Sequence, residues 1–129
     1  MDYQILDLPK IEDHRGNISV IEKETVPFEI KRVYYLYDVP STASRGGHAH
    51  KQQLELLIAV SGSFDVVLRN GGSVSTVTLN KPNKGLLIHA GVWRELENFS
   101  SGAVCLVVAS GAFDEDDYIR DFEVFTKSK

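Results

Sequence analysis

Arg45-Gly46-Gly47-His48-Ala49-His50, followed by Glu55 and then by Gly62, is the stretch on which the reading of this chain turns. Successive side chains of a β-strand point to opposite faces, so His48 and His50 project together and Ala49 points away. Two imidazoles on one face of a small β-structure, near basic and phenolic residues, suit either metal ligation or proton transfer at neutral pH.

Working outward, short apolar or alternating segments rich in Val, Ile, Tyr and Thr recur along the chain, separated by Gly, Asn, Pro and Ser. That is the pattern of an all-β sandwich or barrel. It predicts strands over 17–22, 30–39, 47–50, 54–60, 63–69, 74–79, 85–88, 92–96 and 104–110. Ser61-Gly62-Ser63 and Asn70-Gly71-Gly72 supply residues that accept positive φ, and they predict consecutive antiparallel hairpins. Pro82 between Lys81 and Asn83 marks a loop. The acidic run Asp114 to Asp117, followed by Tyr118, Ile119, Phe122 and Phe125, predicts a short C-terminal helix whose apolar face covers the barrel or a partner subunit. No linker or repeat interrupts the pattern, so a single domain over 1–129 is expected.

Composition narrows the function. With 14 Lys and Arg against 18 Asp and Glu, the net charge of −4 argues against binding nucleic acid by phosphate neutralisation. An anionic ligand must be met by local arginines. No apolar stretch approaches the roughly 20 residues of a membrane span, and the N-terminus lacks the charged-then-apolar pattern of a signal peptide. The one cysteine, Cys105, sits in an apolar run and can form no intrachain disulfide. These features predict a cytoplasmic protein with a buried structural thiol.

His48, His50, Glu55 and Gly62 also reproduce the spacing of the first cupin motif, in which two histidines and a glutamate bind a transition metal. The second motif normally supplies a further histidine after a Pro-Gly turn; the matching stretch here is Ala90-Gly91-Val92-Trp93-Arg94, with Arg94 at the ligand position. A guanidinium is permanently protonated, offers only donors and repels a cation. No metal is therefore expected. His89 precedes the turn and His14 lies in an exposed turn, so neither is read as a ligand. What remains is a proton-transfer site suited to carbonyl chemistry, where cationic donors stabilise an enolate oxygen and an imidazole moves a proton between neighbouring carbons.

A narrower resemblance rests on five pieces in order: Asp13-His14-Arg15-Gly16, Pro27-Phe28-Glu29-Ile30-Lys31-Arg32-Val33-Tyr34-Tyr35, Arg45 to Lys51, Val92-Trp93-Arg94-Glu95 and Asp117-Tyr118-Ile119-Arg120. Together they resemble the dTDP-sugar 3,4-ketoisomerases, relatives of the dTDP-sugar 3,5-epimerases, over nearly the whole chain. The resemblance implies a cupin jelly roll (double-stranded β-helix). It implies a metal-independent, cofactor-free homodimeric isomerase that converts dTDP-4-keto-6-deoxyglucose to the 3-keto isomer through an enediol.

On that resemblance, His48 is the base that moves a proton between C3 and C4, His50 is its partner, and Tyr34 is a phenol that holds or reprotonates the enediol. Arg15, Arg32, Arg45 and Arg94 are candidates for the diphosphate or sugar, and Arg15 and Arg94 for choosing the face of C4 that is protonated. Trp93 is read either as a stacking platform or as core. Glu55 stands where many relatives are expected to carry glutamine. Tyr35 and Tyr37, on the opposite strand face from Tyr34, are expected to pack, and Lys51 to be solvated. The resemblance further implies an aminotransferase acting next. Three readings remain beside this one: a 3,5-epimerase, a non-catalytic cupin that only binds a sugar nucleotide, and a metal-dependent cupin, which Arg94 discourages. Unsatisfied barrel edges favour dimerisation, with exchange of an N-terminal strand.

Overall fold

The chain runs through β1 (Tyr3–Asp7), β2 (Lys10–Ile11), β3 (Ile18–Ser19), β4 (Arg32–Leu36), β5 (Arg45–His50) and β6 (Glu55–Ser61). It continues through β7 (Phe64–Asn70), β8 (Ser73–Leu79), β9 (Lys84–Ile88), β10 (Trp93–Glu97), β11 (Val104–Ala109), β12 (Tyr118–Ile119) and a terminal helix, α1 (Phe122–Lys127). This computed structural model describes residues 2–129. Two five-stranded sheets, ordered β1-β9-β6-β11-β4 and β12-β5-β10-β7-β8, close on one another as the expected jelly roll, and β2 and β3 pair only with each other. Among the described residues no helix is long and apolar enough to cross a membrane.

Strand period explains which residues fill the interior. On β7, Phe64, Val66 and Leu68 face a core shared with Leu57, Leu86, Ile88, Leu96 and Val107. β6 is apolar on both faces because it lies inside its sheet: Leu57 and Ala59 face the interior, whereas Leu56 and Ile58 meet an outer layer with Leu8, Val26 and Val108. That layer needs the N-terminal segment. β1 pairs along β9 from Tyr3↔Ile88 to Asp7↔Lys84, a strand absent from the sequence reading. The longer strand expected over 17–22 shrinks to Ile18–Ser19.

Two other expectations change. The Asn70-Gly71-Gly72 turn does join an antiparallel hairpin, with Asn70 opposite Ser73. The Gly62 turn instead sends the chain from one sheet to the other, because β6 pairs with β9 and β11 rather than with β7. Gly62 has φ +66°, and a Cβ there would lie 2.8 Å from the Ala103 Cα, so neither the conformation nor the space admits a side chain. The acidic run forms a 3₁₀ turn over Glu115–Asp117, and the α-helix starts only at Phe122, capped by Asp121, whose carboxylate accepts from the Glu123 and Val124 amides. Tertiary pairing wins between them: Tyr118 and Ile119 extend alongside His50 and Ala49. The helix still covers the barrel as expected, with Phe125 packed on Ala49 and Trp93.

Tyr35 and Tyr37 do not pack into the chain. Each is 61% exposed, and their rings lie against one another at 5.8 Å on the outer face of β4, an edge strand with nothing laid over it.

Candidate active site

The interior face of the barrel is apolar except where β4, β5, β6 and β10 converge. On β5 and β10, His48 sits directly opposite Arg94, and the next pairing is Leu96 with Arg45, so β5 carries an extra residue across this step. The bulge falls at Gly46, which has φ +74° and would bring a Cβ to 3.0 Å from Leu96 Cδ1. A bulge bends its strand and re-aims side chains. Here Arg45 is left exposed while His48 is buried among interior groups. Tyr34 enters from β4, and Glu55 is the one acid at the head of the otherwise apolar β6.

These side chains border one cavity of about 300 Å³, at the lower end of small-molecule sites. Its floor holds Tyr34, His48, Glu55 and Arg94 against Leu57 and Val107. Arg94 Nη1 donates to Glu55 Oε1 at 2.7 Å, and the Tyr34 hydroxyl donates to Glu55 Oε2 at 2.7 Å. Arg32 approaches the same carboxylate at 3.7 Å. Two guanidiniums thus share one carboxylate at and behind the floor.

His50 lies behind His48, wholly buried, with the two rings edge to face at 4.8 Å. Its Nδ1 is 2.9 Å from Asp117 Oδ2, and Asp117 also accepts from the backbone amides of Gln52 and Gln53. A carboxylate on Nδ1 fixes the ring and leaves Nε2 turned toward Glu55 Oε2, 3.4 Å away. The Nε2 atoms of His48 and His50 are buried without a hydrogen-bond partner, which is costly unless a bound molecule supplies one.

Burial, with Arg94 and His50 adding to it, pushes the His48 pKa down to about 3, so the ring is neutral at pH 7 and free to accept a proton. Burial alone would raise Glu55, but His50, Arg94 and the Tyr34 hydroxyl together hold its carboxyl at about 2, and it stays ionised. Burial and the Glu55 charge raise Tyr34, keeping the phenol protonated. The donor atoms of His48, His50 and Glu55 lie within 4.8 Å of one another. They do not fit a metal: both Glu55 oxygens are engaged, and a cation there would face the Arg94 guanidinium.

The structure thus brings Tyr34, Arg45, His48, Glu55 and Arg94 to one cavity, with His50 and Arg32 in contact behind it. It does not bring Arg15 or Trp93 there. Arg15 is bound to Asp13 on an exposed turn, and Trp93 is buried beside Phe122 and Phe125, donating its indole N–H to Glu95. Three residues given no role in the sequence belong to the site: Asp117, Tyr118 and Arg120. The Tyr118 ring touches both histidines, at 4.9 and 4.5 Å, and Arg120 lies over that ring at 4.2 Å. Their alternation along an extended piece was the available signal for Tyr118 and Arg120; nothing local marks Asp117.

Comparison with known proteins bears on this geometry. A curated TDP-4-oxo-6-deoxy-alpha-D-glucose-3,4-oxoisomerase from Aneurinibacillus thermoaerophilus is 41% identical over 128 residues, covering 98% of this chain and 92% of that protein. A crystal structure of a 3,4-ketoisomerase from Helicobacter canadensis matches with TM-score 0.96 and 44% identity, over 99% of this chain and 97% of that one. A mutant of the 3,4-ketoisomerase QdtA from Thermoanaerobacterium thermosaccharolyticum, solved in complex with TDP-4-keto-6-deoxyglucose, matches with TM-score 0.97 and 37% identity, over 98% and 93%. Residues 1–129 match the family described as "FdtA: WxcM-like, C-terminal", and the chain belongs to that family.

Proposed function

We propose that this chain, as a single cupin domain, is a sugar-nucleotide 3,4-ketoisomerase that converts TDP-4-keto-6-deoxyglucose to its 3-keto isomer. The observation that carries the reading is a neutral, buried histidine with an unpartnered Nε2, set beside the Arg94 guanidinium on the cavity floor. His48 removes the proton from C3, and the C–H electrons form the C3=C4 bond as the carbonyl electrons move onto O4. Arg94, with the Arg32 charge behind it, stabilises that oxygen. Tyr34 gives its hydroxyl proton to O4 and recovers one from O3, while His48 returns the carbon-derived proton to C4. C3 is oxidised as C4 is reduced, so the electrons balance within the sugar and no external acceptor is needed.

A base held as low as about 3 is weak at rest, and the negative charge that develops on the enediolate beside it strengthens it as the proton moves. Arg45 and Arg15 remain for the diphosphate and the protonated face of C4. The decisive experiment is proton NMR of TDP-4-keto-6-deoxyglucose with enzyme in deuterated buffer, wild type against His48→Asn. Appearance of a 3-keto species that depends on His48 supports the reading. A ketone that stays at C4 while deuterium enters C3 or C5 makes the chain an epimerase, and no exchange at all leaves a binding protein.

The same reading has the enzyme work as a cytoplasmic homodimer. The β2–β3 hairpin, paired only with itself, exposes Ile11 and Ile18, and the outer face of β4 exposes Val33, Tyr35 and Tyr37. Apolar surface of that kind favours burial against a second copy. Tyr35 also borders the cavity, so a second copy buried against it would lie beside the opening. Sedimentation of wild type and Tyr35→Ser tests this: a dimer that the substitution weakens is expected, and a wild-type monomer removes the proposal.

A further inference from the structure

We infer that Arg120 is a phosphate-binding residue at the mouth of the cavity, and that Glu115 occupies its guanidinium until a diphosphate displaces it. The inference deepens the ketoisomerase reading and rests on it. The sugar must reach His48 on the floor, where Leu57, Leu96 and Val107 close the cavity, so the charged end of a sugar nucleotide is left at the opening. The floor arginines are not free to follow it. Arg94 is fully buried and committed to Glu55, and Arg32 is held by Gln53 and Tyr118.

At the opening the lining cations are Arg45 and Arg120, both exposed. Arg120 directly follows β12 and is held by that strand's tyrosine: its guanidinium lies on the Tyr118 ring at 4.2 Å, and that ring is 4.9 Å from the His48 ring. Base, phenol and guanidinium follow one another in contact from floor to mouth, the first two rings tilted by 51°. Glu115 meets Arg120 through two parallel bonds, Nε to Oε2 at 2.6 Å and Nη2 to Oε1 at 3.0 Å. Phosphate presents the same pair of acceptors to the same planar fork. The Arg120–Glu115 side chains are 53% and 60% exposed, so water can take the carboxylate as it leaves, and a doubly charged ligand outcompetes it.

Titration calorimetry with TDP, with thymidine as the phosphate-free probe, tests this in the intact protein. Arg120→Gln is expected to weaken TDP binding by about 10- to 100-fold, the worth of a charge-assisted pair, with thymidine binding unchanged. Glu115→Gln is expected to tighten TDP binding a few-fold. The opposite signs are the signature, because a purely structural clasp would make both variants equal in direction or silent. Wild type binding TDP with either of those patterns overturns the inference alone. Wild type failing to bind TDP overturns the functional reading beneath it.

Discussion

Two arginine–glutamate pairs of nearly equal length sit at opposite ends of the cavity. Arg94–Glu55 on the cavity floor and Arg120–Glu115 at its mouth each join a guanidinium to a carboxylate, at 2.7 and 2.6 Å. The floor pair is 1% and 2% exposed; the mouth pair is 53% and 60% exposed. Contact distance therefore says almost nothing about what the pairs do. On the floor, neither charge has water to fall back on, so each depends on the other and the pair is part of the fold. At the mouth, water solvates either partner alone, and the pair can open for a ligand at little cost.

The sharpest break between the two is removal of one partner. Arg94→Leu strands the Glu55 carboxylate in the interior and is expected to cost about 3–5 kcal/mol of stability, measured by urea unfolding. Arg94→Leu combined with Glu55→Leu should restore part of it, because the only charge then left without its partner is the less buried Arg32. A single variant as stable as wild type would mean that water reaches Glu55.

Acid probes the floor without mutation. Glu55 falls from 4.5 to about 2 on folding, and His48 from 6.5 to about 3. Both pKa values are lower in the folded chain, so between pH about 6.5 and about 2 the unfolded chain binds more protons, and stability drops as pH drops. His48 accounts for the upper part of that window, and Glu55 for the part below 4.5. In His48→Asn the decline should begin near pH 4.5 rather than 6.5, and a decline unchanged by the substitution contradicts a buried, neutral ring.

A smaller effect is expected from Asp117→Asn. An amide keeps an oxygen for the Gln52 amide but turns a donor toward His50 Nδ1, so the ring loses the carboxylate that fixes its tautomer and orientation. Turnover should fall about 10- to 100-fold with KM unchanged, the scale seen when a histidine's orienting carboxylate is lost. Nitrogen-15 NMR of the imidazole reports the tautomer itself. An unchanged tautomer with reduced turnover would assign Asp117 to loop structure alone.

These residues also divide what the sequence could reveal from what it could not. His48, Glu55, Arg94 and Tyr34 were legible because they sit on strands, where a period of two and a cross-strand partner decide direction. His50 was legible as a face, but not its carboxylate, which lies 67 positions along the chain. Asp117 looked like helix-start charge, and local propensity yielded to pairing of Tyr118 with His50. The Gly62 turn was legible as a turn, though not as a step between sheets, since that depends on strands β9 and β11 arriving later. β1 escaped because Tyr3 to Asp7 alternates weakly, and its pairing with β9 supplies the order. Exposure of Tyr35 and Tyr37 depends on β4 being an edge, which is a property of the sheet and not of the segment.

The least effect is expected at the mouth, and its smallness is the point. Glu115→Gln and Arg120→Gln, alone or together, should leave the urea midpoint unmoved within error. The Arg120 charge does lower Glu115, through a hydrogen bond that solvent can replace. Raising salt to about 1 M shortens the screening length to about 3 Å and should erase any residual coupling between them, while leaving the Arg94–Glu55 coupling largely intact. A mouth pair that proved as costly to break as the floor pair would be a structural clasp. Arg120 would then be unavailable to a phosphate, because a ligand would have to replace the full stabilisation that Glu115 provides before it gained anything by binding.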